Sequence, residues 1–522
     1  MKYPPKMPQK IYPLTLEEQL EELQTDVLAA RFAESRRQLS SDRYRPVYHY
    51  VNPEGPSNDP NGLCTWQGRY HLFYQQYPAE DKRQHWGHAY SDDLVYWHDL
   101  PIAIYPGIEE KVYSGNALTE DDRVLACYHG TNAGTMIAES SDPLLLNWEK
   151  IPGCPVIQEN QDAVRGAGDP YCIGDPCLWK GKKGYYSLSG SYSGHLLVDS
   201  VPLPQLFFSD DLRNWTYRGP FLEGDVFTTA GEDCAVPYFL PIGDKHILIF
   251  GSHQRGSQYL LGDWDEDACK FHPFAHDRFC FGPVNNGATN APTATPDGNG
   301  GILLMHMLSY GLDTGAWNGM MSLPTRLSLG PNNAILNEPV EALEKLRVNH
   351  QHVDKTALPA NTDVPIKGVR GNAMELIARI DPKDAREVCI EVLRSPDGEE
   401  TTFIRFLRNG GAVKTKGPET WHDVIVIDSC RASLHPEVLA RPPEIANFKL
   451  AQEELLELRI YIDTSILEVF ANNRRYMALR VHPFRDDSLG VRFRAQGNDA
   501  VLLSLDAWQM KNIWEKTKSV SS

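Results

Sequence analysis

The chain of 522 residues has no apolar run approaching the roughly 20 residues that a membrane-spanning helix requires, which excludes a helical span. It also lacks any surplus of positive charge. Lys and Arg number 51 against 69 Asp and Glu, a formal net charge of −18, so its field repels phosphate backbones and excludes nucleic acid as a partner. There is no CxxC pair. The ten cysteines are scattered singly, and neither a cysteine zinc site nor a disulfide scaffold is indicated. An apolar leader is missing too: MKYPPKMPQKIYPLTLEEQLEEL combines prolines with an acidic run where a secretory signal needs an apolar core. These absences predict a soluble, cytoplasmic protein with no membrane association, whose ligand is a neutral small molecule.

What is present is ordinary in amount, with 41% hydrophobic and 23% charged residues, but the chain is too long for one core and predicts two domains. Residues 15–38 carry apolar positions at helical spacing, and one amphipathic helix is expected there. From about 45 to 335 the texture changes to short aromatic and β-branched runs, such as Arg69–Tyr77, Gly184–Leu188 and His246–Phe250, separated by Gly, Asp, Asn and Pro. A turn recurs within it: Ser91-Asp92-Asp93-Leu94 with Trp97, Ser141-Asp142-Pro143-Leu144 with Trp148, and Ser209-Asp210-Asp211-Leu212 with Trp215. The serines stand 50 and then 68 residues apart, a recurrence that propeller blades produce. From about 366 to 510 strands alternate apolar and polar, clearest in Leu458–Asp463 and Leu467–Phe470, as in a sandwich. The predicted fold class is all-β. Its division is a short N-terminal helical extension over 1–44, a β-propeller over 45–340, a linker over 341–365 containing a short helix at Glu341–Arg347, and a C-terminal β-sandwich over 366–522.

Three acidic turns stand at the ends of β runs: Asn58-Asp59-Pro60-Asn61-Gly62, Gly174-Asp175-Pro176 and Gly231-Glu232-Asp233-Cys234. Singly, each is an ordinary turn former. Together they place carboxylates 116 and 57 residues apart, a spacing that suits three different blades whose inner strands share one axial cavity. Glycoside hydrolysis needs two carboxyl groups in one pocket, one of them kept protonated by its surroundings.

At these residues the sequence resembles glycoside hydrolase family 32, the invertases, β-fructofuranosidases, inulinases and levanases. The resemblance runs in order through Asn58–Leu63, His71–Gln75, Trp86-Gly87-His88, Ser91–Trp97, Leu100–Pro106, Tyr113-Ser114-Gly115, Asp175-Pro176, Glu232-Asp233-Cys234, Leu323-Pro324 and Asp463–Phe470. It implies a five-bladed β-propeller followed by a β-sandwich. It also implies retaining hydrolysis of terminal non-reducing β-D-fructofuranosides, sucrose and short fructo-oligosaccharides, without cofactor or metal. Asp59 falls on the nucleophile, Glu232 on the acid/base and Asp175 on the transition-state stabiliser. Asn58, Gln75, Trp86 and Ser114 fall on sugar-pocket positions, and Asp233 is expected at the leaving-group side. A second copy of the chain could dock through the sandwich.

Three positions depart from the family pattern. Gly174 stands where an Arg usually precedes the second aspartate, Ser57 replaces a bulky apolar residue, and Asp233 is inserted between Glu232 and Cys234. An alternative second motif, Gly168-Asp169-Pro170, lacks the Leu178-Trp179 and Gly184-Tyr185-Tyr186 continuation that follows Asp175. Fructosyl transfer to a second sugar would use the same catalytic residues. A fructan-binding propeller without catalysis would not need both Asp59 and Glu232, and the chain retains both.

Overall fold

The computed structural model describes residues 2–159, 171, 173–190, 204–224, 233–279, 287–309, 311–313, 315–410 and 422–514. Five sheets follow one another in the first part of the chain, each an antiparallel run from an inner to an outer strand, with the short strand Trp317–Asn318 added in parallel to the inner strand of the first. The inner strands are Gly55–Trp66, Val112–Thr119, Pro176–Lys180, Ala235–Ile242 and Thr289–Pro296. Each packs on the inner strand of the next sheet, and the last packs on the first. That closed ring is a five-bladed β-propeller. Second strands such as Val124–Gly130 and Ile302–Leu308 are buried at every residue, because neighbouring blades cover both faces. The outer strand Thr216–Pro220 alternates with solvent instead.

The recurrent Ser-Asp turn joins the third and fourth strands of the first three blades. In two copies one Asp oxygen accepts two successive backbone N–H groups: Asp93 from Val95 and Tyr96, Asp211 from Arg213 and Asn214. Asp142 does the same for Leu146 and Asn147 with its two oxygens. A leucine in each turn takes the left-handed conformation, Leu94, Leu145 and Leu212 having φ of 67°, 51° and 65°. The repeat in the sequence is thus a repeat of capping chemistry.

Residues 15–38 form two helices, not the single helix expected. The first, α1, is Leu16–Thr25 and the second, α2, is Val27–Leu39. Asp26 has ψ of 126°, which stops α1, and its carboxylate accepts from Leu28 and Ala29 to cap α2. The pair docks on the first blade through Arg36, whose guanidinium grips Asp99 with two nitrogens (Nη2 to Oδ1, 2.7 Å) and lies 3.5 Å over the Trp514 ring.

Two sheets face each other in the second part of the chain. One is ordered Arg347–Val353, Ala500–Met510, Ala373–Asp381, Leu456–Asp463, Ile466–Ala471 and Arg475–Arg480; the other runs from Asp363–Arg370 to Glu444–Phe448. Their inward residues, among them Leu376, Ile390, Phe406, Leu458 and Phe493, form one core, and the pair is a β-sandwich. The stretch 341–365, expected as a linker, departs from that reading. After the 3₁₀ turn Glu341–Leu346, strands Arg347–Val353, Thr356–Leu358 and Asp363–Arg370 already belong to the sandwich. Their polar composition reflects edge positions with outward side chains, not an absence of structure.

Propeller and sandwich meet at a buried cluster. His49 Nδ1 lies 2.8 Å from Asp463 and its Nε2 3.2 Å from Glu468. Asp463 also accepts the backbone N–H groups of Val47, Tyr48 and His49, and Glu468 that of Leu323. The Leu323-Pro324 and Asp463–Phe470 segments singled out in the sequence therefore meet at the domain junction.

Candidate active site

Asp59 is placed by an irregular inner strand. Register shifts between Ser57 and Pro60 and between Asn61 and Cys64 bulge the strand Gly55–Trp66 against Arg69–Gln76. Pro60, with no N–H to give to a ladder, sits at the bulge. Gly62 follows with φ of 55°, and a Cβ there would meet Phe73, Ala117 and Trp86 at 3.1–3.3 Å. The Asn61 side chain secures the turn, donating to the Asp59 carbonyl (3.0 Å) and accepting from the Gly115 N–H (3.1 Å). At Gly115 a Cβ would lie 2.0 Å from the Cys127 carbonyl oxygen, so only glycine lets the first two strands of the second blade come this close.

The Asp59 carboxylate receives its bonds on one oxygen. Ser114 Oγ donates to Oδ2 at 2.5 Å, and Gln75 Nε2 lies 3.5 Å from Oδ2 and 2.7 Å from Ser114 Oγ. Asn58 Nδ2 in turn donates to Gln75 Oε1 (3.2 Å). Three of the residues expected to line the pocket therefore form one chain ending on Asp59. Burial pushes the Asp59 carboxyl above the usual aspartate range, while the Ser114 bond and the charge of His253 oppose that rise.

Asp175, at the head of the third inner strand, is 3% exposed. Its Oδ2 accepts from the Val236 N–H (2.9 Å) on the fourth inner strand. Val236 has φ of 47°, an outlying conformation for a β-branched residue, and it is held there by that bond. Gly174 gives its N–H to Ser189 Oγ (2.8 Å).

Asp233 is buried, and His253 engages both of its oxygens: the His253 N–H donates to Oδ1 at 2.9 Å, and Nδ1 meets Oδ2. His253 belongs to the turn between strands Lys245–Ser252 and Gly256–Asp265. The Asp233 bond raises its pKa to about 9 against the opposing effect of burial, with further charge contributions from Asp175 and Asp59. One imidazolium thus acts on three carboxylates from three blades. Glu232 lies outside the described residues, as do Gly231 and the alternative motif Gly168-Asp169-Pro170.

Trp86 occupies a different place from the one expected. Its side chain has no accessible surface, its indole N–H donates to the Tyr113 carbonyl (2.9 Å), and its ring packs on Phe73 and Tyr128 beneath Gly62.

Sequence reasoning missed His253 and Tyr238. The Tyr238 hydroxyl accepts from the Gly62 N–H (3.1 Å), donates to the Gly115 carbonyl (3.0 Å) and meets Thr293 Oγ1 (2.9 Å), so one buried phenol ties four blades together on the axis. Neither residue lies in a motif with a chemical signature, and only the closure of the ring brings them to the site. At the opposite ends of the five inner strands an axial cavity of about 1270 Å³ is lined by Thr119, Lys180, Trp264 and Asp297. None of the three described carboxylates faces it.

Comparison with known proteins bears on this geometry. The sequence model of the glycosyl hydrolases family 32 N-terminal domain matches residues 49–339, and that of the family 32 C terminal matches 341–509. The chain is 24% identical over 526 residues to a levanase of Bacillus subtilis (strain 168), covering 92% of this chain and 72% of that protein. It is 26% identical over 512 residues to a sucrose-6-phosphate hydrolase of Escherichia coli, covering 90% and 95%. Among solved structures, fructan 1-exohydrolase IIa from Cichorium intybus superposes with a TM-score of 0.77 at 22% identity, covering 90% of this chain and 98% of that one. The sucrose-6-phosphate hydrolase from Lactobacillus gasseri gives 0.73 at 22% identity, covering 93% and 97%.

Proposed function

The chain belongs to glycoside hydrolase family 32 and is a glycoside hydrolase of the β-fructofuranosidase type, and from that premise we propose that it cleaves sucrose and short fructo-oligosaccharides with retention, through a fructosyl ester on Asp59. The observation that carries the reading is the one-sided anchoring of Asp59. Ser114 and Gln75 both address Oδ2, which assigns Oδ1 to the attack. In the first step Oδ1 bonds to the anomeric carbon while the glycosidic C–O bond breaks, and Glu232 passes its proton to the departing oxygen. In the second, Glu232 takes a proton from water, the resulting hydroxide bonds to the same carbon, and the ester releases the Asp59 carboxylate. Asp175 accepts from the fructose hydroxyls, and Asn58 and Gln75 orient the ring. The net charge of −18 favours a neutral sugar over a phosphorylated one.

The roles are tested by their different failures. Asp59→Asn should abolish turnover of every fructoside. Glu232→Gln should cripple sucrose hydrolysis yet retain a first-step burst with a fructoside whose leaving group is already acidic, because such a group departs without a proton. Azide should then restore turnover and give a β-configured fructosyl azide. An α-configured product, or rescue in the Asp59 variant, would overturn the assignment.

A further inference from the structure

The outer face of the sandwich carries a side-chain cluster that fructoside hydrolysis does not use. Strand Arg347–Val353 lies at the edge of its sheet and pairs antiparallel with Ala500–Met510. The register places Val348 opposite Gln509 but Gln351 opposite Ala507, so the edge strand holds one extra residue, and Asn349, with φ of 53°, absorbs it. The bulge sets His352 directly opposite Asp506 and lays the His350 ring on Trp508, with centroids 4.8 Å apart and planes 12° from parallel. His350 Nε2 is 2.8 Å and His352 Nδ1 2.7 Å from the same oxygen, Asp506 Oδ1. All three donor atoms lie within 4.8 Å of one another.

We propose that His350, His352 and Asp506 form a binding site for a divalent transition-metal ion of the zinc class. Ligand atoms held at about 2.0–2.2 Å from one zinc stand roughly 3–3.5 Å apart, so a bound ion would lengthen the two contacts to Asp506 slightly and hold the two ring nitrogens, now within 4.8 Å of each other, at that spacing. Two imidazoles and one carboxylate form a borderline donor set that suits zinc, nickel, copper or cobalt rather than magnesium or calcium. Stacking on Trp508 fixes the His350 ring in advance. Arg347 covers the same indole at 4.2 Å and is itself engaged by Glu375, so it does not crowd the donors. Arg379 also reaches Asp506 electrostatically, but its charge is met by Glu457 at 2.8 Å. Three protein ligands leave positions for water, and Asp354, whose Oδ1 is 3.6 Å from His352 Nε2, stands beside the cluster as a further acceptor. The strand bearing both histidines follows directly on the 3₁₀ turn that leaves the propeller. A bound ion would therefore pin the start of the sandwich to its last strand.

The test uses the full-length protein, stripped with a chelator and then titrated with Zn²⁺ alone by calorimetry and with Co²⁺ alone by visible absorption. One ion per chain at micromolar affinity is expected, with a rise in the unfolding midpoint on zinc addition. His352→Gln and Asp506→Asn should each weaken binding by about tenfold or more and abolish that rise, without loss of fructoside hydrolysis. All three side chains lie on the surface, and circular dichroism confirms folding of the variants. Absence of saturable binding up to about 1 mM would show the trio to be hydrogen-bonded only. Binding unchanged in both variants would place the ion elsewhere. Either result overturns the proposal.

Discussion

Two histidine–carboxylate clusters in this molecule use the same groups to opposite ends. At the junction of propeller and sandwich, His49 is enclosed between Asp463 and Glu468, and none of the three side chains has accessible surface. At the mouth of the propeller His253 is paired with Asp233, and its side chain is 56% exposed. Both imidazoles are raised to about 9. For His49, burial pulls the value down and the bonds to Asp463 and Glu468 outweigh it; for His253 the Asp233 bond leads. The difference lies in where the charge can act. The junction cluster confines it, and the charge fixes three chain segments: 47–49, Leu323 and the 463–468 turn. At the mouth the field extends to Asp59 and Asp175, the proposed nucleophile and stabiliser. Enclosure makes such a pair a fastener, and openness makes it an electrostatic device.

The sharpest break between the two comes from removing His49. His49→Ala leaves two buried carboxylates without their cation, and a loss of about 3–5 kcal/mol in unfolding free energy is expected. Denaturant titration measures it, while kcat of the protein that remains folded should stay within about twofold of the parent. A fall in kcat with stability intact would merge the two clusters into one system. The pH dependence has a definite sign. With a folded pKa of about 9 against an unfolded one near 6.5, the contribution of His49 is fully present below about pH 6.5 and lost as pH rises through 9. The variant should lack that decline.

The same contrast explains what the sequence disclosed. The blades were legible because Asp93, Asp142 and Asp211 cap their own turns, a local interaction written within five residues. Asp59 and Asp175 were legible as acidic turns, although their carboxylates bond far along the chain, to Ser114 and to Val236. The helix break was not, because Asp26 fits a helical pattern until its carboxylate is seen to cap the next helix. The polar run 347–358 concealed edge strands, since an outward face has no apolar period to display. His253 and Tyr238 act across blades, and the His350–His352–Asp506 cluster depends on a bulge at Asn349 and on a partner about 150 residues away. A search for metal ligands guided by cysteine spacing passes over such a site.

A smaller effect is expected from the hydroxyl that holds the proposed nucleophile. Ser114→Ala removes the 2.5 Å bond to Asp59 Oδ2, and a hydrogen bond to a charged group contributes about 2 kcal/mol, which corresponds to roughly thirtyfold in kcat/KM. Unfolding free energy should barely change, the reverse of the His49 result. Because Ser114 favours the ionised form of Asp59, the acidic limb of the kcat/KM profile should also move to higher pH. A loss of stability with an unmoved limb would make Ser114 a packing residue.

The smallest effect, and the most direct test of the open cluster, is the replacement of His253. Its ring faces Asp233 by contact and Asp175 and Asp59 through space, with Arg255 two residues along its own turn. Below pH 9 it is charged, and that charge lowers the pKa of Asp59 against the rise that burial causes. His253→Gln keeps a hydrogen-bonding side chain near Asp233 but removes the charge. The acidic limb of kcat/KM, which reports ionisation of the proposed nucleophile in the free enzyme, should then move to higher pH, by a small shift because solvent screens a half-exposed charge. His253→Lys restores a cation without an imidazole and should bring the limb back, whereas a purely structural role would leave both variants impaired at every pH with no movement of the limb. Salt supplies a second readout: raising ionic strength should shrink the difference between parent and His253→Gln, while the His49 contribution, enclosed on all sides, should remain.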